Sequence, residues 1–289
     1  MSSNSSHDKK VPPKRKAFLA ALLLAICASW PLGAATAATI PAATLESLQE
    51  VYSQEELLHY EISWLGIPAG ELIIQLLPDQ DGQDRYTIRV TAKSAGLLDV
   101  FYPVEDNFET IVSGPARLPT RYRFDQREGR RRNTKLTTYD QAEGIVTYRK
   151  NDAAMVTYTV SGPVHNEFAS FMIMRALPMV VGTQLMVPTF ADEKRHEVMV
   201  QVETKEKIQS IFGEITAIRV RPQLPFKGLY KKTGDPVVWI SDDQARIPLT
   251  IKAKIVIGSL TAELIDYQGW RKPPAPTPAT RNNVEATPQ

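Results

Sequence analysis

Alternation of apolar and polar residues with a period of two, repeated along most of this chain, constrains its fold more than any other feature. Residues 59–64 and 85–92 alternate in the manner of strands that bury one face. Gly, Pro and Asp separate such segments, and Glu-Gly pairs at 128–129 and 143–144 occupy expected hairpin turns. We therefore predict an all-β, mainly antiparallel domain over residues 58–270, built as a large curved sheet or an open β-barrel-like sheet.

Two segments have helical spacing instead. Residues 44–58 carry leucines and a tyrosine at this spacing, which predicts a short helix in the N-terminal segment 38–57. Residues 166–177 predict a second helix, because an apolar stripe lies between Asn166, a suitable N-cap, and Pro178. Since few of its residues are polar, we expect this second helix to cover an opening or one face of the sheet.

The N-terminus has the order of a secretory signal peptide. Basic residues within 9–16 precede an apolar run over 17–30, and the small residues Ala35 and Ala37 follow. We expect cleavage between Ala37 and Ala38, which removes residues 1–37 and exports the remainder to the periplasm.

Two other readings of the N-terminus remain. A membrane anchor is one, but the apolar run is shorter than the ~20 residues that a spanning helix needs. Lipid attachment at Cys27 is the other, although Ile26 stands where a lipobox has a small residue. After cleavage we expect no transmembrane segment, and the Pro-, Ala- and Thr-rich residues 271–289 predict a disordered tail.

Composition narrows the function classes once residues 1–37 are set aside. The remainder has 29 basic and 31 acidic residues, so nothing favours a nucleic-acid partner. Cys27 is the only cysteine of the chain, which leaves the exported part without disulfides or thiolate ligands. Because His59, His165 and His196 lack metal-ligand spacing, we expect neither a metal site nor a cofactor.

Three carboxylates form the candidate catalytic group. Asp99, Glu105 and Asp106 lie close together in the sequence, and paired carboxylates perform acid and base roles in glycoside hydrolysis. The alternative is capping and solvation of a loop between strands. The Asp-Asp pair at residues 242–243 also allows two interpretations. It could bind a cation, or it could form an Asx-type turn.

Candidate binding residues belong to two groups. The first is a basic hairpin that could contact lipid head groups, an acidic polymer or an envelope protein, or could simply be solvated: Arg127, Arg130, Arg131 and Arg132. The second is a set of apolar residues near the second helix and in the strands, which could line a ligand cavity or pack in the core: Phe168, Phe171, Met172, Trp64 and Trp239.

Several segments, in this order, resemble a family of exported bacterial proteins, DUF3108. They are residues 60–70 (YEISWLGIPAG), 96–106 (GLLDVFYPVED), 118–122 (LPTRY), 238–243 (VWISDD) and 257–264 (IGSLTAEL). The resemblance implies an exported, curved antiparallel β domain. It implies no enzymatic activity, and no catalytic residue can be transferred from it.

Three functions follow as hypotheses. The first is an exported, non-enzymatic protein that binds an apolar or amphiphilic ligand, such as a lipid or acyl chain, or has an accessory role in the cell envelope. The second is an envelope interaction module with a solid core, which uses a sheet edge or the arginine hairpin. The third is a polysaccharide-active hydrolase. A cavity favours the first, a solid core the second and converging carboxylates the third, and the sequence does not predict the oligomeric state.

Overall fold

A computed structural model describes residues 43–81, 84–225, 234–255 and 258–269. The predicted signal peptide and the predicted disordered tail both lie outside these residues. The described residues belong to one compact unit. The described core side chains, from Leu48 to Leu264, all belong to it.

The described residues form three helices and fourteen strands. The helices are α1 (Ala43–Val51), α2 (Gly96–Phe101) and α3 (Glu167–Ala176). The strands are β1 (Glu56–Trp64), β2 (Ile67–Pro78), β3 (Arg85–Ser94), β4 (Glu105–Ser113), β5 (Leu118–Glu128), β6 (Arg131–Asp140), β7 (Ile145–Lys150), β8 (Val156–Thr159), β9 (Gln184–Ala191), β10 (Lys194–Ser210), β11 (Gly213–Gln223), β12 (Val237–Ser241), β13 (Pro248–Lys254) and β14 (Ser259–Gly269).

All fourteen strands belong to one antiparallel sheet, which confirms the predicted fold class. The order is β8-β7-β6-β5-β4-β3-β2-β1-β14-β13-β12-β11-β10-β9. Strands that follow one another in the chain are therefore neighbours except β8 and β9, and β1 pairs with β14. The edges are β8 and β9, and α3 lies in the connection between them. Within the described residues no helix has both the length and the apolar character needed to span a membrane.

The two Glu-Gly pairs form turns, as predicted. Gly144 has a φ of +64°, and a Cβ atom there would lie 2.5 Å from the carbonyl oxygen of Val160. Its own carbonyl accepts a hydrogen bond of 2.8 Å from the Val160 N–H. Only glycine fits this close approach, because any side chain would collide with the backbone of the neighbouring segment.

The sheet curls until its two edges approach each other. His165, in the connection after β8, forms a parallel bridge with Thr189 of β9. The His165 N–H donates to the Pro188 carbonyl at 2.9 Å, and its carbonyl accepts from Phe190 N–H at 2.7 Å. Strands β8 and β9 do not pair with each other. The two backbone bonds of His165 stand in place of a strand ladder between the two edges of the sheet. We call this line the seam.

The concave face of the sheet holds the core, and α3 packs against it. Asn166 caps α3 as predicted, since its side chain accepts from Ala169 N–H at 2.9 Å. The same side chain donates to the Thr110 hydroxyl of β4 at 2.7 Å, in a buried environment. The first turn of α3 is thereby fixed to the middle of the sheet.

Arg175 of α3 is fully buried and all five of its N–H donors have acceptors. Two nitrogens bind the Glu56 carboxylate of β1, at 2.6 and 2.8 Å. The other donors face the carbonyls of Arg246 and Ala245, at 3.0 and 3.3 Å, and the sulfur of Met172, at 3.8 Å. Burial lowers the pKa of Arg175, but the charge and hydrogen bonds of Glu56 outweigh this effect and raise it overall.

Three local features differ from the sequence prediction. Helix α1 ends at Val51, and β1 already begins at Glu56, because the Glu56 carboxylate is drawn inside by Arg175. Helix α2 and strand β8 were not predicted. Helix α2 has only six residues, too few for a helical period to repeat, and β8 has four residues without a buried face.

We expect Arg175→Met to lower the free energy of unfolding by about 3–5 kcal/mol, because it leaves the Glu56 carboxylate buried without a counter-ion. Urea denaturation measures the loss. The matched control is Arg123→Met, which removes an exposed pair with Asp125 and should cost about 0–1 kcal/mol. The double variant Glu56→Leu, Arg175→Met should lose less than the sum of the single variants. Equal losses for the buried and exposed arginines would contradict this account.

Candidate ligand pocket beside the seam

A pocket opens on the concave face between strands β5 to β7 and the β9–β10 turn. Its volume is about 220 Å³. Alternate residues of β5, β6 and β7 form one wall, the β9–β10 turn forms the other, and the start of α3 closes it. The lining residues are Tyr122, Phe124, Lys135, Thr137, Tyr139, Tyr148, Lys150, Glu167, Phe190, Ala191, Asp192 and Glu193.

Strand register places the lining residues in two rows across the sheet. Phe124, Lys135 and Lys150 are directly opposite one another on β5, β6 and β7. The Lys135 ammonium lies 5.2 Å from the centre of the Phe124 ring, within the range of a cation–π interaction. Two lysines opposite each other repel, so this row favours an anionic group beside it.

The second row is aromatic. Tyr122, Thr137 and Tyr148 are opposite one another, with the small Thr137 in the centre. Across the pocket, the Phe190 ring meets the Tyr139 ring edge-on, at 6.2 Å between centres. The pocket therefore combines aromatic walls, which suit an apolar group, with a pair of cationic side chains at the end where β7 ends.

Glu167 is the acidic group at the closed end of the pocket. Burial raises the pKa of its carboxyl from 4.5 to about 7, while the positive charge of Lys135 acts in the opposite direction. Burial, and next the charge of Glu167, also raise the pKa values of Tyr122 and Tyr139 well above their ordinary value. Near neutral pH the Glu167 carboxyl can therefore donate or accept a hydrogen bond.

Two further titratable groups are buried nearby. Burial raises the pKa of Asp106 to about 6, although its carboxylate accepts a hydrogen bond from Arg127 N–H at 2.9 Å. Burial lowers the pKa of His165 at the seam to about 4. Its Nδ1 atom is buried and faces no hydrogen-bond partner among the described residues. The His165 side chain is therefore neutral, and it contributes to the seam by packing and not by a side-chain hydrogen bond among the described residues.

In the part of the chain that the structure describes, the five predicted ligand-binding residues lie in different environments. Phe168 and Met172 belong to the packed core, where the Phe168 ring lies 4.9 Å from that of Phe108. Phe171 also packs against this core. Trp239 lies on the convex face and donates its indole N–H to Glu206, and Trp64 ends β1.

The structure does not bring all three candidate catalytic carboxylates together. Glu105 and Asp106 are adjacent on β4, so their side chains face opposite sides of the sheet. Glu105 forms an ion pair with Arg127 at 3.3 Å, and Asp99 accepts from the Ser94 hydroxyl at 2.6 Å. Asp99 and Glu105 line one open recess, but each already has a partner there, and Asp106 faces the other side of the sheet from Glu105.

The Asp-Asp pair forms a turn. Asp243 accepts hydrogen bonds from the Ser241 hydroxyl at 2.8 Å and from Arg246 N–H at 3.1 Å. Asp242 forms an ion pair with Lys205 at 2.7 Å. In the part of the chain that the structure describes, no group of three His, Cys, Asp or Glu residues is arranged to hold a metal ion.

Comparison with known proteins gives a family and a fold. The model of a family described as a protein of unknown function, DUF3108, matches residues 59–265. A β-barrel-like protein of the domain of unknown function DUF1849 from Brucella abortus is similar in structure, with a TM-score of 0.53 and 9% identity, over 75% of this chain and 98% of that chain. The hypothetical protein CT021 from Chlamydia trachomatis has a TM-score of 0.32 and 6% identity, over 76% and 91%. No curated protein matches the chain.

We expect the Glu167→Gln variant to change how stability depends on pH. The folded protein binds the Glu167 proton more tightly than the unfolded chain, so this group makes the free energy of unfolding fall as pH rises from about 4.5 through 7. Glutamine removes this contribution. The difference in the free energy of unfolding, variant minus wild type, should therefore be more positive at pH 8 than at pH 5. Urea denaturation of both proteins at both pH values measures it.

The control for this measurement is Glu143→Gln, which changes an exposed carboxyl in the β6–β7 turn. It should leave the pH dependence unchanged. If Glu167→Gln shifted stability by the same amount at both pH values, its carboxyl would not be the buried acid described here.

Proposed function

This chain belongs to the DUF3108 family, whose description assigns no activity, and from the geometry of the pocket we propose that it is an exported, non-enzymatic protein that binds a small amphiphile. The observation that carries the proposal is the pairing of two inward lysines, Lys135 and Lys150, with an aromatic wall. The lysines, with the carboxyl groups of Glu167, Asp192 and Glu193 in the same lining, suit a zwitterionic or strongly polar head group. The aromatic rings suit the apolar part.

Pocket size limits the ligand. Pockets that enclose a drug-sized molecule have about 300–1,000 Å³, whereas this one has about 220 Å³. Among the described residues, buried core side chains, including those of α3, occupy the concave side next to the pocket. The proposed ligand is therefore a small amphiphile, or one end of a lipid whose remaining chain lies outside.

Export and the absence of catalysis belong to the same proposal. The order of basic, apolar and small residues over 1–37 supports export to the periplasm with cleavage before Ala38. Asp106 faces the opposite side of the sheet from Glu105, while Asp99 and Glu105 are held by a serine hydroxyl and an arginine, which supports a binding function over a hydrolase. Likeness to the Brucella abortus structure supports the fold alone, because identity is 9%.

A second candidate is an envelope protein that binds another protein through its sheet edge. It is favoured by the packed core and by β8, a four-residue edge strand whose residues are mostly exposed. Such a protein needs no ligand in the pocket, so the next experiment separates the two functions.

We expect native mass spectrometry of the chain beginning at Ala38, recovered from the periplasm without detergent, to show a bound small amphiphile. Solvent extraction then identifies it. Thr137→Phe should abolish this species, because Thr137 lies in the centre of the aromatic row and a larger ring there fills the pocket.

The matched control is Thr134→Phe, on the opposite face of the same strand, which should keep the ligand. Circular dichroism and thermal denaturation verify that both variants fold. A mass without ligand for the wild type, or equal ligand in both variants, would reject the pocket as the binding site and favour the edge-strand function.

A further inference from the structure

Large apolar side chains are exposed together at one rim of the sheet. Val100 and Phe101, at the end of α2, are 76% and 77% exposed, and Tyr102 after them is 46% exposed. Leu65 and Ile67, which flank the β1–β2 turn, are 60% and 63% exposed. We call these five side chains the apolar tip. A soluble surface scatters such residues singly, so a group on adjacent turns marks a contact surface.

Helix α2 holds these side chains outward at a fixed place. The Ala95 N–H before α2 donates to the Ala69 carbonyl of β2 at 2.9 Å. On the other side, the Gly129 N–H donates to the Pro103 carbonyl at 2.8 Å, and the Tyr102 hydroxyl donates to Glu128 at 3.2 Å. Helix α2 is thus fixed between the β1–β2 and β5–β6 turns.

The β5–β6 turn places arginines beside the apolar tip. Arg130, Arg131 and Arg132 are all exposed. Arg132 donates to the carbonyls of Gly129 and Arg131, both at 2.9 Å, which keeps its own carbon chain close to the turn. Among the described residues, neither Arg130 nor Arg131 forms an ion pair.

Acidic residues near the tip already have partners. Glu105 pairs with Arg127 at 3.3 Å and with Lys93 at 3.9 Å. Asp99 accepts from a serine hydroxyl, and Glu128 from Tyr102. The hydroxyl donors leave Asp99 and Glu128 charged. The five cations around the tip, which are Lys93 and the arginines at 127, 130, 131 and 132, exceed the four carboxylates at 99, 105, 106 and 128 by one charge, so the surface has a small positive excess.

A polar recess lies between the tip and the arginine turn. It has a volume of about 420 Å³ and is lined by backbone and by charged groups of both signs, with Lys93, Arg127 and Arg132 as its cations and Asp99 and Glu105 as its anions. Cations of this kind fit a phosphate, and the acidic groups fit the amine of a zwitterionic head group.

We propose that the apolar tip and the arginines Arg130, Arg131 and Arg132 dock on the surface of an anionic phospholipid bilayer. The tip inserts Val100 and Phe101 between head groups, and the arginines bind lipid phosphates. Exposed apolar side chains bordered by cations are the arrangement by which a folded domain holds to a bilayer without spanning it. Protrusion on separate turns suits a deformable lipid surface better than a preformed protein groove.

This surface goes beyond the proposed ligand pocket and is independent of it. Strands alternate in direction, so the turns after β1, β3, β5, β7 and β9 all lie at the same rim. Lys150, Asp192 and Glu193 of the pocket therefore belong to the rim that carries the tip. A docked tip brings the pocket mouth towards the bilayer.

The test is co-sedimentation of the chain beginning at Ala38 with vesicles of phosphatidylethanolamine and phosphatidylglycerol. We expect binding at low salt that weakens as salt is raised. Val100→Ser with Phe101→Ser should reduce binding at least tenfold, and Arg130→Glu with Arg131→Glu should do the same, since each arginine near an anionic surface contributes about fivefold.

Matched controls lie elsewhere on the domain. Val180→Ser with Val181→Ser removes two exposed apolar side chains outside the tip, and Arg121→Glu with Arg149→Glu reverses two arginines on the convex face. Both should bind as the wild type does. No vesicle binding by the wild type, or equal loss in tip and control variants, would overturn the proposal, as would a tip that crosslinks only to a protein. Ligand loss by Thr137→Phe with unchanged vesicle binding separates this surface from the pocket.

Discussion

The buried ion pair between Arg175 and Glu56 joins four parts of the chain that are far apart in sequence. Arg175 belongs to α3, Glu56 to the first strand, and the carbonyls that complete the guanidinium's bonds belong to the turn before β13. Tyr267 of the last strand also donates to the Glu56 carboxylate, at 3.1 Å. Such a pair adds little net stability over apolar packing, but its geometry accepts one arrangement of these elements.

That arrangement determines where α3 can lie. Its C-terminal half is held by Arg175, and its first turn is held by Asn166 on Thr110. Between these two anchors the apolar residues of α3 fill the concave face, and Glu167 is left at the side where the sheet edges approach. The pocket is the space that this placement leaves unfilled, so the position of one arginine in the core bears on the shape of a site at the other end of the helix.

The sequence was sufficient for the fold class because its signals are local. Period-two alternation, Glu-Gly turns and the Asn166 cap each depend on a few neighbouring residues, and the structure contains all of them. The sequence did not predict helix α2, because it is too short for a helical period to repeat. It did not predict strand β8, because that strand has no buried face. The continuation of the first predicted helix to residue 58 failed because Glu56, a good helix former, turns inward to Arg175.

The pocket was less accessible to sequence reasoning. Lys135 and Lys150 are opposite each other because of the strand register, which the sequence alone does not give. Phe190, which contacts Tyr139, belongs to an edge strand far along the chain. A signal did exist, in the alternate Lys-x-Thr-x-Tyr of β6, which places a lysine on the side that should be apolar. Apolar character alone favoured Phe168 and Met172, which the core uses, and Trp239, which lies on the convex face.

The seam between β8 and β9 has a mechanical consequence for the pocket. Widening the domain along any other line separates two strands and breaks a full ladder of backbone hydrogen bonds, whereas the parallel bridge at His165 consists of two. Tyr148 lines the pocket from one side of this line and Phe190 from the other. The Tyr158 hydroxyl of β8 also donates to Glu193 across this line, and the Tyr158 ring packs against Phe190. Widening the cavity here therefore breaks fewer backbone hydrogen bonds than separating any two paired strands.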